Sequence, residues 1–290
     1  MSEPPALPRS ASGLDPLAVA RRCAEEGGRI ALENFRRPQE VSVKGRGNLV
    51  TASDVASERR IQEILSQEYP EHAVLSEETS NFEPRASSLE TRGWMWVVDP
   101  LDGTRNYVSG IPFFCVSIAL CHDGEPLVGL THDPNHNEAF CAEKGRGAWL
   151  ERPGREREPI RCSTKPSVQA SVLGIDLGYD DQRAKRMLAL AHELFPGMQS
   201  VRIPGSAALG LAYAACGRYD LFVHNYLLPW DVAAGIVLVR EAGGLVTDRD
   251  GGPVGIGSDG VVAGGADVHA DFLRLTRGIP WREEAARKQP

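Results

Sequence analysis

The change in hydrophobic patterning along this chain is its tightest constraint. Between residues 73 and 150 short β-rich runs succeed one another, at 73–75, 95–98, 113–121, 127–131, 139–142 and 148–150. Asp123-Gly124 between two of them is a hairpin signal, so this part reads as an antiparallel meander. From about residue 168, strand-like runs (171–175, 219–223, 245–247, 261–264) alternate with helical ones (181–194, 206–216, 231–242, 266–276). That alternation marks an α/β arrangement. Two helices precede both parts. Asp15 caps the first, with Pro16 at its first position and Leu17, Ala20, Ala24, Ala31 and Phe35 at helical spacing. The second begins near Ser53 or Asp54, is expected to bury Val55, Ile61, Ile64 and Leu65, and ends at Pro70. The fold class is therefore α+β followed by α/β, with a seam near residue 165. No break in composition marks that seam. Residues 14–278 read as one domain with sub-parts 14–165 and 166–278, and 1–13 and 279–290 read as flexible ends.

Bulk properties narrow the function. Of 290 residues 42% are hydrophobic, enough for a sizeable core. A formal net charge of −7 argues against a surface that coats a nucleic-acid polymer, which needs a basic excess. It leaves a small anionic substrate open, because a bound metal reverses the local sign. The first residues lack the basic-then-apolar order of a signal peptide. No apolar run approaches the roughly 18 residues of a membrane span. The expectation is a cytoplasmic protein with no membrane partner. Cys23, Cys115, Cys121, Cys141, Cys162 and Cys216 are scattered, with no CxxC pair, and read as reduced core thiols.

The stretch richest in chemistry is Trp94-Met-Trp-Val-Val-Asp99-Pro-Leu-Asp102-Gly103-Thr104. An apolar strand runs into two aspartates three residues apart, which places both carboxylates on a rigid sheet rim. Hard cations such as Mg²⁺ need oxygen ligands in near-octahedral geometry, and a rigid acidic pair suits that need. The Gly-Thr that follows can turn backbone N–H groups toward a phosphate. The same residues also fit a plain Asp-Pro-x-Asp-Gly turn. A calcium EF-hand loop lacks its alternating acids and terminal glutamate here. Glu77-Glu78 after a strand, Asp54 at a helix start and Asp231 after Pro229-Trp230 each have an ordinary structural explanation as solvated or capping acids. His132 and His136 flank Pro134-Asn135 and read as a loop, and Gly255-x-Gly257-x-x-Gly260 leads into a strand, unlike a dinucleotide site.

Taken in order, LVTASD (49–54), SEE (76–78), VVDPLDGTRNY (97–107), PGSAALGLAYAACGRYD (204–220) and PWDVAAGIVLVREAGG (229–244) resemble the inositol monophosphatase family of Mg²⁺-dependent, lithium-sensitive phosphatases. The resemblance spans about residues 15–276. It implies a layered αβαβα sandwich, a homodimer, and two to three Mg²⁺ ions. By position, Glu77, Asp99 and the Leu101 carbonyl would hold the first ion; Asp99, Asp102 and Asp231 the second; a third would sit near Glu77. Thr104 and Asp54 would orient the attacking water, with Glu77 counted among the catalytic acids. The N–H groups of Gly103 and Thr104 would hold the phosphate, and Lys44 would sit near the mouth of the site. Asp102, Asp231, Gly205, Ser206 and Ala207 would meet the substrate. Inositol-preferring members place a glutamate seven residues before the Trp-Asp aspartate; this chain has His224 there. The implied activity is hydrolysis of a small phosphorylated metabolite, inositol 1-phosphate first. Histidinol phosphate, fructose 1,6-bisphosphate and adenosine 3′,5′-bisphosphate are alternatives, and a non-catalytic binding relative is a further one.

Overall fold

A computed structural model describes residues 5–43, 48–80 and 92–282. Helix α1 (Pro16–Asn34) starts at Asp15, whose carboxylate accepts the Ala18 N–H at 2.8 Å. Strands β1 (Val41–Val43) and β2 (Leu49–Thr51) pair antiparallel and lead into α2 (Ala52–Glu68). Then come β3 (Ala73–Ser76), β4 (Trp94–Asp102), the short α3 (Thr104–Val108), β5 (Cys115–His122), β6 (Glu125–Asp133), β7 (Glu138–Glu143), β8 (Gly147–Glu151) and β9 (Glu158–Pro159). Strands β3 to β9 lie side by side in chain order as a seven-stranded sheet. The hairpin at Asp123-Gly124 forms, with both residues at positive φ (49° and 78°).

The first pair departs from the meander: β3 runs parallel to β4, and the other neighbours are antiparallel. The long connection between Ser76 and Trp94 is what permits this, since a parallel return cannot be made by a tight turn.

The second part adds β10 (Val172–Ile175), α4 (Asp181–Leu194), β11 (Ser200–Arg202), α5 (Ala207–Ala215), β12 (Leu221–His224), α6 (Pro229–Glu241), β13 (Leu245–Thr247), β14 (Val261–Gly264) and α7 (Ala266–Leu275). Its sheet runs β11-β10-β12-β14-β13, parallel up to β12 and antiparallel beyond. The layers are α1/α2, the large sheet, α5/α6, the small sheet, and α4/α7, an αβαβα sandwich.

Period-2 alternation decides which layer each side chain joins. In β4, Trp96 and Val98 pack with α1 and α2, and Met95 and Val97 pack with Trp230, Ala233 and Ala234 of α6. In β12, Phe222 joins the α5/α6 layer, and Leu221 and Val223 join the α4/α7 side. A sheet used on both faces explains why these strands are apolar at every position.

Helix α2 corrects one expectation. Val55 is 53% exposed, and the first turns bury Ser53, Asp54, Ser57 and Glu58 instead. Ile61, Ile64 and Leu65 fill the core as expected. The apolar stripe starts a turn late because the first two turns face polar groups at the end of β4: Ser57 Oγ donates to the Pro100 carbonyl at 3.0 Å.

The ends are also partly tied down. Leu7 packs on the α1/α2 core, the Ser12 hydroxyl donates to Glu68, and Trp281 is fully buried against Phe272. All six cysteines are free, and five are buried.

Strand β6 approaches α6 so closely that a Cβ on Gly129 would lie 2.6 Å from the Ala234 carbonyl oxygen. Gly129→Ala is expected to cost about 1–3 kcal/mol of stability by overpacking two backbones. Urea unfolding measures this; a variant as stable as the parent contradicts the close approach.

Candidate active site

The carboxylates converge where β4 ends. The pairing of β4 with β5 shifts register between Asp99 and Asp102, an irregularity of the kind that re-aims side chains at a strand end. Asp99 is 1% exposed, and its Oδ1 accepts the Leu101 N–H at 3.0 Å. Asp102 Oδ2 accepts the Ser206 hydroxyl at 2.5 Å and the Ala208 N–H at 2.9 Å, at the start of α5. Asp231 sits in the first turn of α6 behind Pro229 and accepts the Leu228 N–H at 2.7 Å. One oxygen from each of Asp99, Asp102 and Asp231 lies within 4.8 Å of the others. Residues 99 and 231 thus meet across two layers.

Electrostatics show what this arrangement lacks. Burial, then Glu77, Asp102 and Asp231, hold the Asp99 carboxyl well above the ordinary aspartate range. Burial raises Asp102 against the hydrogen bonds from Ser206 and Ala208. Burial and then Asp102 raise Asp231. No lysine or arginine is among the main influences on any of the three. Like charges drawn together without a cation destabilise each other. A donor set made only of oxygens, short of positive charge, fits a hard divalent ion such as Mg²⁺.

Three backbone hydrogen bonds anchor the turn that carries Glu77 beside this set. The Glu77 N–H donates to the Val98 carbonyl at 3.3 Å, and the next two N–H groups donate to Glu58 of α2 at 3.1 and 3.2 Å. Asp54 closes the capping box of α2, accepting the Thr51 N–H at 2.9 Å. Its other oxygen lies 2.9 Å from Thr104 Oγ1, which is also 3.0 Å from the Leu101 carbonyl. Burial raises Asp54, opposed by the bonds from Thr51 and Thr104. Gly103 takes φ +95°, and a Cβ there would lie 3.0 Å from the Phe113 carbonyl, so glycine alone suits the turn.

Beside the acids opens a cleft of about 290 Å³ lined by Asp102, Gly103, Gly205, Ala207, His224 and Asp231. Ser206, expected to meet the substrate, is buried and hydrogen-bonded to Asp102. His224 is 4% exposed; its Nδ1 accepts the Tyr226 N–H at 3.0 Å. Burial, then the charge of Arg183, pushes its pKa down to about 3. Lys44 lies outside the described residues. His132 and His136 are not together as a ligand pair: His132 Nδ1 is 3.1 Å from the Ala24 carbonyl and His136 Nδ1 is 2.7 Å from Asp133.

Sequence reasoning missed Asp176, Arg105 and Tyr179, which line the same cleft. Asp176 accepts the Gly205 N–H at 3.0 and 3.2 Å, and burial, then Asp102, pushes its carboxyl up to about 7. Its signal was present: an acid directly after the apolar run Val172–Ile175, the pattern that drew attention to Asp99.

An oxygen-lined cluster that could hold a divalent cation thus lies at a strand end between two layers of an αβαβα sandwich. The profile described as "Inositol monophosphatase family" matches residues 14–279, and the chain belongs to that family. The chain is 36% identical over 266 residues to Nus factor SuhB of Haemophilus influenzae, covering 90% of this chain and 95% of that one. Inositol monophosphatase 3 of Solanum lycopersicum is 36% identical over 265 residues, covering 89% and 95%. The crystal structure of the extragenic suppressor protein SuhB from Bartonella henselae superposes with a TM-score of 0.81 at 33% identity, covering 91% and 99%. The Nus factor name on such relatives leaves the expectation of no nucleic-acid partner without support. Among the described residues no helix is long and apolar enough to cross a membrane.

Asp99→Asn removes one member of the repelling set and keeps an acceptor for the Leu101 N–H. The metal-free variant is expected to melt roughly 2–4 °C higher than the metal-free parent, as residues kept for function at the expense of stability do. Mg²⁺ is expected to raise the melting temperature of the parent and not that of the variant. Calorimetry with and without EDTA reads both; a variant that keeps the full Mg²⁺ shift places the ion elsewhere.

Proposed function

We propose that this chain is a Mg²⁺-dependent phosphatase that hydrolyses a small phosphate monoester, with inositol 1-phosphate as the first substrate to test. The observation that carries this reading is the meeting of Asp99, Asp102 and Asp231 beside the hydrogen-bonded Thr104–Asp54 pair, at one end of a single cleft.

In this reading Glu77, Asp99 and the Leu101 carbonyl hold the first ion, and Asp99, Asp102 and Asp231 the second, with a weaker third near Glu77. When bound, the ions supply Lewis acidity to the attacking water, to the phosphoryl oxygens and to the departing alcohol oxygen. Thr104 would orient the water: with its hydroxyl proton given to Asp54 Oδ1 rather than to the Leu101 carbonyl that would face an ion, a lone pair on Oγ1 is left to accept from the water. The Gly103 and Thr104 N–H groups hold the phosphate at the turn that Gly103 creates. Ser206 acts behind the site, fixing the Asp102 carboxylate. No side chain needs to form a covalent bond to phosphorus.

The Nus factor name on relatives favours a second reading, a binding role without turnover. Phosphate release with Mg²⁺, with EDTA and with added Li⁺ separates the two, using inositol 1-phosphate, histidinol phosphate, fructose 1,6-bisphosphate and adenosine 3′,5′-bisphosphate. Turnover that needs Mg²⁺ and is lost in EDTA is the expected result; Mg²⁺ binding with no turnover of any ester selects the second reading. Asp99→Asn is expected to lose more than about tenfold in kcat at saturating Mg²⁺, a barrier increase above about 1.4 kcal/mol. Retention of more than about a tenth of parental kcat removes Asp99 from the set of residues that would hold the ions.

A further inference from the structure

The cleft carries a charge pattern outside the metal-binding carboxylates. Among the described residues that line it, Arg105 is the one lysine or arginine. It lies one position beyond Thr104, on the exposed side of α3. Its guanidinium sits 4.4 Å from the centroid of the Tyr179 ring, and Nη1 is 3.4 Å from the Gly178 carbonyl oxygen. The ring face and the carbonyl are two of the contacts that keep the guanidinium at the cleft rim.

His224, on the same cleft, adds a donor. Because Nδ1 accepts the Tyr226 N–H, the ring proton belongs on Nε2. Its depressed pKa keeps the ring neutral, hence in this one tautomer, through the neutral range. The loop that carries it is fixed as well: Arg183 stacks on Tyr226 at 4.5 Å and donates to the Asn225 carbonyl at 2.8 Å. The acid on this side, Asp176, has both oxygens engaged by the Gly205 N–H and is 6% exposed. Beside that buried acid, Arg105 and His224 add a cation and a fixed donor to the side that the alcohol half of an ester would meet.

We propose that Arg105 and His224 make the alcohol-binding half of this cleft charge-selective. Phosphate esters whose alcohol part carries a second anionic group, a carboxylate or a second phosphate, are favoured, and those carrying an ammonium are disfavoured. This rests on the phosphatase reading and refines its substrate class; neutral polyol phosphates such as inositol 1-phosphate fall between the extremes.

Three esters of one size test it: 3-phosphoglycerate, glycerol 3-phosphate and 3-amino-2-hydroxypropyl phosphate, each at saturating Mg²⁺. The kcat/KM order is expected to run carboxylate, hydroxyl, ammonium. About tenfold should separate the ends, the size of a charge–charge effect across roughly 6 Å of partly solvated space. Arg105→Gln, a change at an exposed position, should compress that ratio to below about threefold, and 0.5 M NaCl should compress it in the parent by screening. His224→Glu, which replaces the donor by an anion, should move the preference toward the ammonium ester.

An ammonium ester hydrolysed as fast as the carboxylate ester, or an Arg105→Gln enzyme with the parental ratio, overturns the proposal and leaves the phosphatase reading intact. No turnover of any of the three, nor of inositol 1-phosphate, overturns both.

Discussion

The mutual repulsion of Asp99, Asp102 and Asp231 is the constraint around which the rest of this molecule is arranged. Three carboxylates held within 4.8 Å of one another lower the stability of the metal-free chain, and the fold limits that loss by surrounding them with donors. The donors come largely from helix starts. Helix α5 offers the Ala208 N–H and the Ser206 hydroxyl to Asp102, and the Leu228 N–H that enters α6 is taken by Asp231. At α2 the Thr51 N–H is taken by Asp54. Each helix start also brings the positive end of its dipole to an acid. The acids that look like ordinary caps in isolation are caps, and they are more than that because three helices start around the end of one strand.

That double role explains what was legible in the sequence. The strand ending in Asp99-Pro-Leu-Asp102-Gly and the capping positions of Asp54 and Asp231 are local signals, and the structure places them at element ends. Period-2 and helical patterns located most elements for the same reason, since each is a property of neighbouring residues. The misses are of another kind. Val55 is apolar, yet the first turns of α2 face the Pro100 carbonyl, 43 positions beyond Ser57. The parallel pairing of β3 with β4 is a relation between strands well apart in the chain, which no local pattern shows. The three residues of β11 are too few to carry a period. Leu7 and Trp281 looked like parts of loose ends because their packing partners lie elsewhere in the chain.

The substrate side was least legible, and the topology shows why. The cleft is assembled from the turn after β4, the segment after β10, the approach to α5 and the segment after β12. No single stretch contributes more than a few residues, so no motif describes the wall. Asn106 holds two of these pieces together, donating from Nδ2 to the Phe113 carbonyl at 2.7 Å and the Pro204 carbonyl at 2.8 Å. Asp176 holds a third through the Gly205 N–H.

These ties divide the wall into positions that can change and positions that cannot. Ser206 bonds a metal-site carboxylate, a Cβ on Gly205 would lie 3.0 Å from Asn106, and Gly103 needs its positive φ; a change at any of them would disturb Asp102 or the turn that follows it. Arg105 and Tyr179 meet each other at the rim instead, and the His224 ring accepts the nearby Tyr226 N–H. Substitution there alters what the alcohol half of a substrate meets and leaves the donors to Asp102 and Asp231 in place. If the chain is a phosphatase, phosphate release and the choice of ester are therefore separable in this fold, with the first tied to the helix starts and the second to a few side chains at the mouth of the cleft.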